Sequence, residues 1–307
     1  MIPEELMQQV RQLELRMRRS VSEVFAGEYS SAFRGQGMEF SEVREYQPGD
    51  EIRSIDWNVT ARTGSAYVKR FVEERELTIM LAVDRSASAR FGSVNRIKAA
   101  AAAELCAVLA FAAVKGGDKV GLLSFADEVE TFIPAKKGIN HVLRIVRELL
   151  DDSPSDAQRS QHRGGTNMIA VLERMATVLK RRSVIVLVSD FLLDDVKEGA
   201  LPEDVRRALA WVARKHDVIA ARVTDPRERE LPAAGLIEVE DAETGARVLV
   251  DTTSARVRRD FAQRMVRREM ELTRQLRAMK IDDVLVQTNE PCVHALIELF
   301  RRREKRR

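Results

Sequence analysis

Cysteine is scarce: the 307 residues contain two, Cys106 inside an alanine-rich apolar stretch and Cys292 after a proline. Neither has a metal-ligating neighbour at a recognisable spacing, so the sequence offers no disulfide framework or zinc finger, and a reducing compartment is expected. Histidine is sparse too, with His141, His162, His216 and His294 scattered along the chain; loop or surface positions are expected for them rather than roles as catalytic bases. Long apolar runs are also missing. The longest, Ile97 to Val114, is interrupted by Lys98 and Glu104 and is too rich in alanine for a membrane span. The opening MIPEELMQQVRQLELRMRRS is charged throughout and lacks the apolar core of a secretory signal. The expectation is a cytoplasmic protein, not an integral membrane protein, long enough to bury a core without staples.

Charge is nearly balanced, at +3 overall. The last seven residues, RRREKRR, carry six basic groups and one acid, so their +5 leaves −2 for the rest of the chain. A solvated, disordered tail is expected, with an anchor for an acidic partner, nucleic acid or anionic lipid as the sharper alternative. Nucleic-acid binding is not favoured, because no aromatic array interleaves the arginines.

Residues 4 to 25 show helical spacing through Leu6, Val10, Leu13, Met17, Val21 and Val24, and Gly27 reads as the stop signal. An irregular segment follows to about residue 76, with a turn at Pro48-Gly49 and a strand pattern in Tyr67 to Val72. From residue 77 onwards, strand-length apolar runs alternate with helical patterns: LTIMLAV, 93–115, KVGLLSF with a short partner at Val129 to Ile133, 140–150, 167–180, VIVLVS, 203–215 and VIAARV. That alternation predicts an α/β fold, a doubly wound, mostly parallel sheet flanked by helices. A hairpin insertion is expected near 236–252. A long helix capped by Thr253 or Ser254 then carries Val257, Phe261, Met265, Leu272, Leu276 and Met279 on one side and six arginines on the other. DVLVQT and a helix from about Val293 finish the pattern. The division is thus an N-terminal helix and irregular segment, 1–76, packed on a main domain, 77–307.

In such a sheet, ligands bind beyond the carboxyl ends of the strands. Asp84 ends the first strand of the alternating part and is followed by Ser86 and Ser88; Asp190 ends VIVLVS; Thr166 stands in GGTN before a helix. These hydroxyls and carboxylates are hard oxygen donors, suited to Mg²⁺, with Mn²⁺ or Ca²⁺ as substitutes. An Asx or Ser turn capping the following helix is the alternative for Asp-x-Ser-x-Ser alone.

The strand-ending DRSAS, the GGTN and the strand-ending SDF resemble the metal-ion-dependent adhesion site of von Willebrand factor A domains, a Rossmann-type fold. The resemblance implies metal ligation by Asp84, Ser86, Ser88, Thr166 and Asp190. Phe191 departs from it, standing where many such domains have glycine, and Arg85 and Arg90 add positive charge nearby. Upstream, EFSEVREYQPGDEIRSIDWNVTARTGSAYVKRFVEERE resembles the signature of the bacterial DUF58 family, whose members are commonly encoded beside MoxR-type AAA+ ATPases. For Arg44, Tyr46, Asp50, Arg53, Asp56, Trp57, Arg62 and Glu74 a polar structural network with Trp57 buried is expected.

These features point to a non-catalytic, metal-dependent adaptor in which a divalent cation captures an Asp or Glu of a protein partner. The resemblance implies a MoxR-type ATPase or its client as that partner, in protein complex assembly or maturation. Peripheral contact with an anionic membrane through the tail, and a metal-dependent phosphohydrolase, are the alternatives. Against the enzyme, position 86 is Ser where a haloacid-dehalogenase nucleophile motif needs Asp, and no Gly-x-Ser-x-Gly elbow, His-Glu-x-x-His motif or Walker loop occurs.

Overall fold

The structure, a computed structural model, describes residues 23–33, 38–73, 76–94, 96–151, 166–193, 200–242 and 244–306. Contacts divide the chain into a larger unit, drawn from Met1–Ala32 and Thr78–Arg307, and a smaller one, Phe33–Leu77. The helix expected over 4–25 lies almost wholly outside the described residues. Helix α1, Glu23–Ala32, runs straight through Gly27. That glycine is therefore not a stop; a mid-helix glycine costs about 1 kcal/mol, and tertiary packing offsets it. Phe25 and Tyr29 are buried with their rings 5.4 and 6.0 Å from that of Phe300, and the Tyr29 hydroxyl donates to Asp118 at 2.6 Å.

The smaller unit is built on an antiparallel pair, β1 (Met38–Glu45) and β2 (Tyr67–Glu73), with an irregularity in register between Phe40 and Glu42. Between them lie a short 3-10 turn, Ile52–Ser54, and helix α2, Trp57–Thr63. The expected polar network is present in part. Arg44 grips Asp50 with two hydrogen bonds, at 2.6 and 2.8 Å, and Asp56 caps α2 by accepting from the amides of Asn58 and Val59. Trp57 departs from expectation: at the first position of α2 it is 66% exposed. Arg53 and Arg62 are exposed, and Glu74 lies outside the described residues.

The larger unit continues with β3 (Thr78–Asp84), α3 (Lys98–Lys115), β4 (Lys119–Phe125), β5 (Val129–Lys136), α4 (Ile139–Leu150) and α5 (Met168–Val178). There follow β6 (Val184–Ser189), α6 (Glu203–Lys215), β7 (Asp217–Thr224), α7 (Pro226–Arg229) and the hairpin β8 (Leu236–Glu240) and β9 (Arg247–Asp251). Helix α8 (Ala255–Ala278), β10 (Asp282–Gln287) and α9 (Cys292–Glu304) complete it. The six-stranded sheet has the order β10-β7-β6-β3-β4-β5, parallel except for the antiparallel edge pair β4 and β5.

Helices flank this sheet, so its central strands read as continuous apolar runs. Met80 and Ala82 pack with Leu172 of α5, Leu209 of α6 and Leu276 of α8 in one core cluster. Their neighbours Ile79, Leu81 and Val83 alternate to the opposite face. Helix α3 is buried on nearly all sides, well beyond the narrow face expected from Ala101, Leu105, Val108 and Ala112, because α1, α4 and α9 pack around it as well as the sheet. Its many alanines let these elements approach closely.

Two C-terminal expectations change. Ser254 does cap α8, accepting from Val257, but only Leu272, Gln275 and Leu276 of that helix are buried, so Val257 to Met265 are not core residues. The basic tail is not a free terminus over its described length. Helix α9 extends through Glu304, and Arg303 is buried between Asp217 and Asp282, at 2.6 and 2.7 Å. The hairpin turn matches expectation, with Gly245 at φ 69° and Asp241 accepting from Thr244. Among the described residues, no helix is long and apolar enough to cross a membrane.

Candidate functional site

Strand order reverses at β3. The chain passes from β3 outward to β4 and β5, then returns to add β6, β7 and β10 on the other side. The crevice beyond the carboxyl ends of β3 and β6 is therefore the switch point where ligands of open α/β sheets bind. Asp84 is the last residue of β3 and Asp190 the first beyond β6, and the two strands are direct neighbours.

Four of the five sequence-predicted donors converge closely. Asp84 is 7% exposed and accepts from the Ser86 amide at 3.0 Å and from the Thr166 hydroxyl at 3.3 Å. The Ser86 and Ser88 hydroxyls are 3.1 Å apart. The Ser86 amide bond closes an Asx turn, yet Ser86 makes no side-chain capping bond to the 3-10 turn Ala87–Arg90 that follows it. Thr166 is likewise not a helix cap: Asn167 fills that role for α5, accepting from the Ala170 amide. Gly164 and Gly165 lie outside the described residues.

Asp190, the fifth, lines the same small cavity as Asp84 and Ser88, but its carboxylate has a tenant. Lys98 Nζ donates to Asp190 at 2.6 Å and to Glu228 at 2.6 Å. The other Asp190 oxygen accepts from the Leu192 amide at 2.9 Å. The cavity measures about 20 Å³, room for one water-sized species.

The sequence reading missed Lys98, Ser189, Glu228 and Arg268. Ser189 donates to Asp84 at 2.7 Å and accepts from the Phe191 amide at 3.0 Å. Glu228 is fixed from behind, accepting from the Asp225 amide at 2.9 Å. Lys98 carried a signal: it is the first residue of α3, where the helix dipole opposes a cation, and no acid occupies that first turn. A buried carboxylate partner was the physical requirement. Arg85 turns away from the site to the Glu148 and Asp151 carbonyls at the end of α4.

Burial, and next the Asp190 charge, push the Asp84 carboxyl above its ordinary pKa, against the hydrogen bonds from Ser189 and Ser86. Burial opposes the Lys98 charge, but Asp190 and Glu228 outweigh it and hold its pKa above the usual lysine value. Glu228 is raised by burial, which its bond to Lys98 only partly offsets.

Phe191 explains its own departure from glycine. Its φ is 56°, in the left-handed region, and its ring is 2% exposed within the core cluster beside α5 and α6. The backbone takes a conformation that glycine accepts freely, and ring burial compensates for the strain.

The donor chemistry suits a hard cation on the Asp84, Ser86, Ser88 and Thr166 side, whereas Asp190 is engaged by Lys98. Among the described residues no cluster of three or more His, Cys, Asp or Glu is placed to hold a metal, so hydroxyl donors are essential to any cation here.

The family model "Protein of unknown function DUF58" matches residues 42–271, and the chain belongs to this family. It is 32% identical over 270 residues to uncharacterized proteins of Mycobacterium bovis and Mycobacterium tuberculosis, covering 87% of this chain and 80% of theirs. An uncharacterized Bacillus subtilis protein, YeaD, is 31% identical over 107 residues, 35% of this chain and 25% of that protein. Among solved structures, the conserved hypothetical protein BatB from Bacteroides thetaiotaomicron is similar with a TM-score of 0.47 and 17% identity, over 75% of this chain and 99% of that one.

Proposed function

We propose that the larger unit is a von Willebrand A-like domain of Rossmann type, and that the chain is a non-catalytic adaptor that binds proteins through a divalent cation. Asp84, Ser86, Ser88, Thr166 and Asp190 would hold the cation, Mg²⁺ first, with Mn²⁺ or Ca²⁺ as substitutes. When bound, it supplies residual positive charge and an open coordination position for an Asp or Glu of the partner. The residues of the chain do the remaining work. Ser189 orients Asp84, the Asx turn presents Ser86 and Ser88, and Asp84, Ser88 and Asp190 line one small cavity. The partner in this reading is a MoxR-type AAA+ ATPase or its client, in the cytoplasm.

The observation that carries the reading is the meeting of Thr166 with Asp84, residues 82 positions apart in sequence, beside the Ser86 and Ser88 pair at the switch point of the sheet. Local capping alone would not require that long-range contact: Ser86 makes no side-chain capping bond, and Asn167, not Thr166, caps the helix that follows.

The experiment is retention of a purified MoxR-type ATPase by the full chain in Mg²⁺ and in EDTA, with Asp84→Ala checked for folding by circular dichroism. Retention that needs Mg²⁺ and Asp84 supports the adaptor. Retention undiminished in EDTA overturns it, and Mg²⁺-dependent turnover of a phosphate ester, lost in Asp84→Asn, would replace it with the hydrolase.

A further inference from the structure

We propose that Lys98 is an internal cation seated on the carboxylate side of the site, so that a divalent ion binds only by taking Asp190 away from it. This rests on the cation-site reading above and adds a competitor carried by the chain itself.

The geometry is specific. Lys98 is 1% exposed, yet it lies against Asp190 and Glu228 at 2.6 Å each. It lines the same cavity as Asp84, Ser88 and Asp190. A buried ammonium persists only where carboxylates compensate its lost hydration, and the start of α3 cannot supply that compensation, since the helix dipole there is positive. Asp190 and Glu228 therefore hold Lys98, and Lys98 in turn neutralises the one predicted ligand that reaches the cavity from β6.

Charge accounting sets the consequence. Asp84, Asp190 and Glu228 contribute three negative charges, and Lys98 removes one. Arg268, partly buried and electrostatically coupled to Asp190 and Glu228, removes a second. A dication thus meets a site of formal charge −1 instead of −3. It also meets an ammonium on one of its intended ligands, inside a cavity with room for one water-sized species. Two cations on one carboxylate repel each other, so metal entry and the contact between Lys98 and Asp190 exclude one another. Glu228, anchored by the Asp225 amide, gives the flexible lysine a resting place when Asp190 turns to the metal.

The test is Mn²⁺ binding by the full chain, read by electron paramagnetic resonance, in the unaltered protein, Lys98→Met, Lys98→Met/Glu228→Gln and Asp84→Ala. Lys98→Met, which takes the site to a formal charge of −2 and frees Asp190, should bind Mn²⁺ at least about tenfold more tightly than the unaltered protein. The double variant keeps the formal charge of −1 and should still bind more tightly because Asp190 is free, and Asp84→Ala should lose binding. If Lys98→Met fails to fold, the double variant, which removes one buried carboxylate along with the ammonium, carries the comparison. A further measurement uses only the unaltered protein: Mg²⁺ should shift the ¹⁵N–¹H resonance of the sheltered Lys98 ammonium. Equal Mn²⁺ affinity with and without Lys98, or a Lys98 resonance unmoved by saturating Mg²⁺, overturns the competitor and leaves the cation site standing. Absence of Mn²⁺ binding in every protein overturns both.

Discussion

The Ser189 hydroxyl donates to Asp84 at 2.7 Å, joining the ends of β6 and β3 across the point where strand order reverses. The same oxygen accepts from the Phe191 amide, so one side chain both orients the buried carboxylate and fixes the turn that carries Asp190. Site and scaffold are coupled there.

Ser189→Ala removes both bonds while leaving the strand apolar. It should cost about 2 kcal/mol, the scale of a hydrogen bond to a charged group, as read by urea denaturation. The loss should be larger at pH 7 than at pH 4, because the bond serves the ionised form of Asp84. An unchanged midpoint would mean that Asp84 is solvated well enough without Ser189.

Phe191 gives a test of backbone strain. Either small substitution discards the buried ring, a loss of about 3–5 kcal/mol. Because φ is 56°, however, Phe191→Gly should be about 0.5–1 kcal/mol more stable than Phe191→Ala. Equal stability of the two would show that the left-handed turn carries no penalty for a side chain.

The parallel strands were legible because burial on both faces leaves runs such as VIVLVS with no polar residue until the carboxyl edge. The same runs point to Asp84 and Asp190, whose polarity begins where cover ends. Lys98 was not legible by that logic: within an alanine-rich stretch it reads as an interruption, and its partners come from the residue after β6 and from α7, 92 and 130 positions away. Gly27 and Trp57 misled because local propensity says nothing of packing against Phe300 or of exposure. The tail misled through composition, which counts Arg303 as one more solvated charge and cannot see Asp217.

Arg303→Met should destabilise the protein by about 2–4 kcal/mol, since it leaves Asp217 and Asp282 facing a partly buried gap. Arg301→Met is the control. Its side chain is largely exposed and pairs with Glu28, so its loss should stay below about 1 kcal/mol. Thermal denaturation at low and high salt separates them, because only the Arg301 contribution should fade as salt screens it. Equal costs would return the tail to the solvated role that its composition suggests.

His216 sets a pH dependence remote from the candidate site. Its ring is 4% exposed, and neither nitrogen has a hydrogen-bond partner among the described residues. Burial, and then the charges of Lys215 and Arg182, hold its pKa below the ordinary 6.5. The carboxyl end of α6 would by itself favour a charged imidazole, but burial and two neighbouring cations outweigh that end. The unfolded chain therefore binds the proton more readily than the native one. Stability contributed by the neutral ring is complete above about pH 6.5 and falls as the pH drops towards the native pKa. The slope due to this one group should approach, and not exceed, about 1.4 kcal/mol per pH unit. Urea denaturation of the unaltered protein and of His216→Leu at pH 7.5, 6.5 and 5.5 checks it. The leucine variant, which carries no titrating group at this position, should lack this contribution and gain relative stability as the pH falls; parallel curves for the two proteins would assign the acid sensitivity to other groups.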